Sequence, residues 1–245
     1  LLTNAPEPRG ERLVAPTPAA LADAERRART LGCFNCHGDA MQGRKFFEAP
    51  NVATIYAPNL PVLASRASDQ QLAQAIRQGI GADGRPLLVM PSEAYQFLTD
   101  EETAALVAVL RRLPRQGAQT PPAEIGPLGR VGLVKGVLTP APKVVAEYRE
   151  KQPANLGPQH ARGRHLAMTT CSGCHGAQLA GRQVPPDTYA PDHIIAGAYD
   201  LPAFTRLLRE GVAPGGKKLG LMRRVAVRDP RFYTDLVAVE TKPVP

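Results

Sequence analysis

The chain has 245 residues, which is enough for one large domain or two small ones. It contains no Trp and only 5% aromatic residues, together with 25 prolines and 22 glycines, so few bulky side chains are available to build a core. The formal net charge of +8 favours a partner with an acidic surface. Nucleic acid is disfavoured, because the basic residues are scattered and no recognition motif accompanies them. No apolar run approaches the length of a membrane span.

Three helix starts stand out in the first half of the sequence. Thr17 followed by Pro18 has the pattern of an N-cap with Pro at the first helical position. Ser68 and Thr99 each precede a Gln or Glu by three residues, which is the pattern of a capping box. Gly79 is expected to end the second of these helices.

A five-residue motif occurs twice, as CFNCH at residues 33–37 and as CSGCH at residues 171–175. Each copy is a Cys-x-x-Cys-His haem attachment site. Two cysteines at this spacing can present their sulfurs along one side of a helical turn and bond the two vinyl groups of one haem. The following His is then held under the iron as its proximal ligand. The sequence therefore predicts two covalently bound haem c groups. The predicted attachment residues are Cys33, Cys36, Cys171 and Cys174, and the predicted iron ligands are His37 and His175.

The two motifs lie 138 positions apart, from residue 33 to residue 171, which favours one haem in each of two domains. A long segment rich in Pro and Gly lies between them. We expect a first domain with an N-terminal extension over residues 1–114, a linker over residues 115–156 and a second domain over residues 157–245. A connection of this length usually packs on a domain or has a function, so we expect it to wrap along the haem domains. A flexible tether is the alternative.

The second half shows weaker signals of the same kind. Gly157 and Pro158 are expected to begin the helix that leads into the second motif. Asp200 is the expected N-cap of a helix over residues 201–210, and Asp229 precedes a Pro that would open a short last helix. Strand-like alternation is nearly absent from both halves, so we predict an all-α fold.

The two halves repeat more than the motif. The loop Tyr-Ala-Pro-Asn at residues 56–59 matches Tyr-Ala-Pro-Asp at residues 189–192. Two further stretches, residues 79–90 and 211–222, run in step, and each ends in Met. An internal repeat of this kind indicates that one fold is used twice.

The Met that ends each of these stretches is the predicted sixth ligand of an iron. Met90 and Met222 occupy the same place in the repeat, and a thioether is a neutral ligand that raises the reduction potential. The alternative is that both residues fill gaps in a core. We interpret Met41 and Met168 as core or haem-packing residues. His193 lies near the loop expected to face the second haem, and we interpret it as a surface or hydrogen-bonded His rather than a ligand.

The repeat also pairs Pro58 with Pro191 and Arg85 with Lys217. An iron-bound His usually donates its other ring N–H to a fixed acceptor, which a prolyl carbonyl in a rigid loop would provide. A simple turn proline is the alternative. Arg85 and Lys217 could neutralise a haem propionate, although a solvated loop charge is the simpler interpretation. All four are predicted haem-contacting residues.

The order of these features resembles class I cytochrome c: the Cys-x-x-Cys-His motif, a Tyr-Ala-Pro-Asn loop, an Arg-x-Gly helix end, Met, and a Thr-Asp-Glu-Glu helix. Two such domains in tandem resemble the cytochrome subunits of bacterial periplasmic dehydrogenases, although the second half departs from the pattern after Met222. The resemblance implies electron transfer from a periplasmic dehydrogenase to a downstream cytochrome or terminal oxidase. It also implies a periplasmic location, with a signal or membrane anchor outside this chain.

A dihaem redox enzyme with one catalytic haem, similar to a peroxidase or a thiosulfate dehydrogenase, is the alternative function. A peroxidase needs an open or displaceable sixth site, and a Met in register at both haems argues against one. A Cys-ligated thiosulfate-oxidising site is excluded, because every Cys belongs to an attachment motif. A haem-based sensor would need an output domain, which the sequence does not show. The favoured function is an electron carrier rather than an enzyme.

Overall fold

The computed structural model describes residues 6–184, 188–220 and 222. The chain divides into two compact units, the first unit over Leu1–Glu147 and the second unit over Tyr148–Pro245. None of the helices in the described ranges is long and apolar enough to cross a lipid bilayer.

The first unit is mainly helical and contains one small sheet. Its helices are α1 (Pro18–Thr30), α2 (Cys33–His37), α3 (Leu60–Ala64), α4 (Asp69–Gln78), α5 (Ser92–Tyr95), α6 (Asp100–Arg112), α7 (Pro127–Val134) and most of α8 (Ala141–Glu150). Its strands are β1 (Arg44–Ala49), β2 (Ala53–Ala57) and β3 (Glu124–Ile125). Helix α1 packs against α6, and α4 packs against both α5 and α6.

Side-chain caps begin the helices of the first unit where the sequence predicts them. The Thr17 hydroxyl accepts a hydrogen bond from the Ala20 N–H at the start of α1, with 3.2 Å between Oγ1 and N. Ser68 and Thr99 form reciprocal capping boxes at the starts of α4 and α6, and Gly79 ends α4 with a φ of 69°. These helix starts are confirmed, because capping depends on residues that are close in sequence.

The core of the first unit lies among α1, α4, α5 and α6 and reaches the turn that carries the first motif. Leu98 and Met41 are almost fully buried, with exposed fractions of 1% and 0%. They belong to one cluster with Leu72, Ile76 and Leu106. Burial of a side chain of this size stabilises a fold by about 2 kcal/mol. Met41 is therefore a core residue, as we interpret it from the sequence.

The all-α prediction is wrong in one respect, because both units contain short antiparallel strands. In the first unit β2 pairs with β1 on one side and with β3 on the other. Strand β1 is exposed along almost its whole length, including Phe46 and Phe47, so its sequence lacks the alternation that marks a half-buried strand. The pairing register also shifts between Lys45 and Phe47. The hairpin turns at Asn51, which adopts a left-handed φ of 61°.

About half of the Pro- and Gly-rich segment between the motifs has regular structure. It contains β3, α7 and α8. Ala141 and Val145 on α8 are buried, and the Ala141 N–H donates to the Leu87 carbonyl with 2.7 Å between N and O. The Gln96 side-chain amide donates to the Val145 carbonyl over 2.9 Å. The first compact unit extends through Glu147 and so includes β3, α7 and most of α8. The linker bounds of residues 115–156 stay a prediction.

The second unit places a helical turn, a hairpin and a helix in succession. Its elements in the described ranges are the last residues of α8, a 3-10 turn (Pro158–His160), α9 (Ala161–Leu166), a π-helical turn (Ala167–Cys171), α10 (Ser172–His175), β4 (Arg182–Val184), β5 (Thr188–Ala190), a 3-10 helix (His193–Ala198), α11 (Leu201–Glu210) and a 3-10 turn (Pro214–Gly216). Strands β4 and β5 pair antiparallel. Asp200 accepts a hydrogen bond from the Ala203 N–H over 2.8 Å, which confirms the predicted cap of α11. The helix predicted after Asp229 lies outside the described residues.

Candidate functional site

The first motif lies on a single helical turn, α2. Gly32 precedes the turn with a φ of 84°, and Gly38 follows it with a φ of 86°. Because L side chains rarely adopt positive φ, glycine permits the sharp bend at each end. Cys33 and Cys36 are half-buried and His37 is 9% exposed. Their spacing on a helix places all three side chains along one side of the turn.

Two buried tyrosines attach the motif turns to their own units. In the first unit the Tyr95 hydroxyl donates to the Leu31 carbonyl, with 2.5 Å between the oxygens. In the second unit the Tyr148 hydroxyl donates to the Ser172 carbonyl over 3.3 Å. Both residues are missing from the sequence predictions, because neither belongs to the aligned repeat. The available signal was their rarity, since the chain has six Tyr and no Trp.

The loop after β2 holds the ring of His37. Its Nδ1 lies 2.9 Å from the Pro58 carbonyl oxygen, so the ring N–H donates to that carbonyl and Nε2 is left to bind a metal. The Gly43 N–H donates to the His37 carbonyl over 2.8 Å. A Cβ at Gly43 would lie 2.6 Å from the Ala57 carbonyl oxygen, so only glycine permits this approach. Burial lowers the pKa of His37, and the hydrogen bond to Pro58 opposes that shift. A lower pKa favours the neutral imidazole, which is the form that binds a metal.

The second motif has the same backbone contacts around its His. The Nδ1 of His175 lies 2.7 Å from the Pro191 carbonyl oxygen. The Gly181 N–H donates to the His175 carbonyl over 2.9 Å, and a Cβ at Gly181 would lie 2.8 Å from the Ala190 carbonyl oxygen. The structure therefore places a prolyl carbonyl against each motif His at the two positions that the sequence pairs.

The stretches 79–90 and 211–222 form the same loop where both are described. In the first, the Leu87 N–H donates to the carbonyl of the initial Gly over 2.7 Å; in the second, the Leu219 N–H donates to the carbonyl of its initial Gly over 2.9 Å. An antiparallel bridge joins the second residue of each stretch to the eighth. The repeat read from the sequence thus extends to backbone conformation.

The remaining predicted residues lie on these loops. Met90 is half-buried and packs against the core of the first unit, and Met222 is half-buried. Their roles as iron ligands stay predictions. Arg85 and Lys217 are exposed, and the Arg85 Nε donates to the Asp83 carboxylate over 2.7 Å. Arg85 is therefore a solvated loop charge with a local partner, and the propionate contact stays a prediction.

The two sites differ in what surrounds the motif His. His37 is buried, whereas His175 is half-buried. The ring of His193 lies edge-on to the ring of His175, with 4.3 Å between ring centroids and 67° between ring planes. Burial, with a further contribution from His175, lowers the pKa of His193 to about 4. The structure thus brings His193 into contact with a predicted iron ligand, a contact not expected from the sequence.

The donor set fits a covalently attached haem better than a redox-active thiol pair. Burial raises the pKa of the Cys33 thiol to about 12, whereas thiol–disulfide enzymes lower the pKa of their reactive cysteine. None of the four cysteines, all of them in described ranges, forms a disulfide. Two thiols and an imidazole with one nitrogen already bonded are the donors that haem c requires. Cys33, Cys36 and His37 would hold this group in the first unit.

Residues 19–109 match the family model described as cytochrome c oxidase, cbb3-type, subunit III. The matched region begins in α1, ends in α6 and includes the first motif, the Pro58 loop and Met90, and it covers less than half of the chain. The match supports a c-type cytochrome, whose cytochrome c domain carries covalently bound haem c and transfers electrons. No curated protein matches the chain at a significant level.

Proposed function

We propose that the protein is a dihaem electron carrier made of two tandem cytochrome c domains. One haem c is attached through Cys33 and Cys36 and the other through the second cysteine pair of the chain. His37 and Met90 would hold the iron of the first haem, and His175 and Met222 would hold that of the second. The carrier relays electrons from a periplasmic dehydrogenase toward the respiratory chain.

One observation carries the proposal of two haems. In each unit the motif His donates its Nδ1–H to the carbonyl of a Pro in the same loop, over 2.9 Å for His37 and 2.7 Å for His175. A Gly N–H closes on the carbonyl of the same His in both units. The family match lies entirely within the first unit and does not include the second motif. The recurrence of these contacts therefore supports the same role for the second motif.

The residues of the chain orient and shield each site. When bound, haem supplies one-electron redox chemistry. The Pro58 and Pro191 carbonyls fix the plane of each ligand ring and raise the basicity of its Nε2. In the first unit, the burial of His37 keeps water away from the ligand ring. A ligand set fixed before the electron arrives needs little reorganisation when the charge changes.

The proposed partners follow from charge and from the resemblance. A formal net charge of +8 favours encounter with an acidic surface on the donor dehydrogenase. A downstream cytochrome or a terminal oxidase would accept the electron, and the protein would work in the periplasm. If the donor is acidic, the second-order rate of reduction by the dehydrogenase should fall as ionic strength rises. A rate independent of salt would contradict this docking mode.

A ferric absorption spectrum tests the ligand sets. Methionine–iron bonds give a weak near-infrared band, and we expect the band at an intensity that corresponds to two low-spin haems per chain. High-spin haem in the resting protein, or a band that accounts for one haem only, would contradict the carrier with two His/Met sites.

The alternative is a redox enzyme with one catalytic haem. Because His175 is more exposed than His37, the second site is the better candidate for that haem. An open sixth position there would bind cyanide rapidly. The carrier predicts that cyanide binds slowly at both sites, because Met must first leave each iron. Rapid binding by half of the haem would support the enzyme.

A further inference from the structure

We propose that His193 is a positioning residue for the ring of His175 and sets the reduction potential of the second haem apart from that of the first. The inference rests on the proposed function, since it requires a haem at the second motif. Neither the family match nor the internal repeat assigns His193 any role.

The geometry gives His193 a fixed position beside the ligand ring. Its ring meets the ring of His175 in a T-shaped arrangement with 4.3 Å between centroids. The backbone N–H of His193 donates to the Leu179 carbonyl over 2.9 Å. His193 also begins a 3-10 helix, which the Asp192 carboxylate caps by accepting from the Ile194 N–H over 2.8 Å. The backbone that carries the His193 side chain is therefore held on both sides.

The first unit has the same backbone position with a different side chain. There the Leu60 N–H donates to the Met41 carbonyl over 2.9 Å. Met41 and Leu179, the two acceptors, share a left-handed conformation with φ of 54° and 58°. Leu60 and His193 are thus structural equivalents, and the aliphatic side chain at the first site packs against the core. The repeat supplies a natural comparison between an apolar and a polar neighbour at one position.

Two contacts instead of one then determine the orientation of the His175 ring. The Pro191 carbonyl fixes Nδ1, and the edge-on ring of His193 limits rotation about that hydrogen bond. A polar imidazole also stabilises the more highly charged ferric state better than an aliphatic side chain does, as a more polar, more solvated site does generally. We therefore expect the second haem to have the lower potential of the two.

Redox titration of the full-length holoprotein tests this inference with three variants. His193→Leu removes both the ring and its polarity. His193→Phe keeps a ring in place but removes the polarity, and it also serves if the Leu variant fails to fold. Leu60→His is the matched control, because it creates the imidazole neighbour at the first site. Ferric electron paramagnetic resonance of each variant reports the orientation of the ligand rings independently of potential.

We expect both His193 variants to raise the potential of the second haem and leave the first unchanged. A tenfold rise in the ratio of reduced to oxidised haem at a fixed applied potential would correspond to about 59 mV for a one-electron couple. Only His193→Leu should change the resonance signal of the second haem, and Leu60→His should lower the potential of the first. If both His193 variants carry two haems with unchanged potentials and unchanged resonance signals, the inference is wrong while the proposed function stands. A wild-type chain that carries one haem would overturn it together with the proposed function.

Discussion

The two motif sites share their backbone contacts and differ in what surrounds them. Around His37 and His175 the same hydrogen bonds to a prolyl carbonyl and from a Gly N–H recur within 0.2 Å. The first site adjoins a cluster of buried apolar side chains that includes Leu98 and Met41. The second has a polar neighbour, His193. A few backbone hydrogen bonds close in sequence therefore orient each motif His, whereas the packing of each unit sets the polarity around it.

The largest expected effect is the loss of one haem from either unit. Replacing Cys33 and Cys36 by Ala together should leave half of the wild-type haem absorbance per chain, because thioether bonds fix the group. Replacing Cys171 and Cys174 by Ala together should also leave half of the wild-type haem absorbance per chain. If the second double variant kept the full absorbance, the second motif would not attach haem and the comparison would fail.

The sixth ligands separate the two sites next. Met90→Ala and Met222→Ala should each abolish half of the near-infrared methionine–iron band and lower the potential of one haem, because a neutral thioether favours ferrous iron. Met168→Leu is the control, since Met168 is buried with an exposed fraction of 2% and lies outside the repeated loops. A band that persists at full strength in Met222→Ala would show that the second site uses another ligand.

Glycines at the proximal loops provide a stability comparison within each unit. Gly43→Ala and Gly181→Ala place a Cβ 2.6 Å and 2.8 Å from a backbone oxygen at a positive φ. Each should lower the free energy of unfolding by about 3 kcal/mol. Gly84→Ala is the control, because Gly84 also has a positive φ but its Cβ would meet nothing within 4 Å. We expect Gly84→Ala to lower the free energy of unfolding by about 1 kcal/mol, with thermal unfolding as the measurement for all three variants. Equal costs at Gly43 and Gly84 would contradict the close approach of the loop.

The smallest expected effect concerns helix caps. Ser68→Ala in the first unit and Asp200→Ala in the second should each destabilise by about 1 kcal/mol, because an N–H of the first helical turn loses its acceptor. Asp200→Asn keeps an acceptor oxygen and should remain close to wild type in denaturant unfolding. A loss in the Asn variant as large as that in the Ala variant would mean that charge, rather than capping, stabilises α11.

Local signals account for what the sequence predicts correctly. The caps at Thr17, Ser68, Thr99 and Asp200 depend on residues a few positions away, so they are readable without the fold. The strands are not readable in this way. Strand β1 exposes nearly every side chain, so pairing with β2 leaves no periodic trace in the sequence.

The site was predictable where the repeat aligns the two halves. The equivalence of Pro58 and Pro191 follows from their matching loops, and the structure places both carbonyls against a motif His. The hydrogen bond from the Tyr148 hydroxyl to the Ser172 carbonyl joins two residues of the second unit that are 24 positions apart, and no local pattern encodes it. The contact of His193 with His175 was within reach, since extending the loop alignment by one residue pairs His193 with Leu60.

The mass of the intact native protein under denaturing conditions tests the central claim most directly. Covalently attached haem stays with the chain when the fold is lost, so the measurement counts thioether-bound haem without reference to spectrum or activity. Because both units have the same backbone hydrogen bonds around the motif His, we predict the mass of the chain plus two haems. A mass that corresponds to one haem would contradict the account, because the second motif would then share the backbone of the first site without its function.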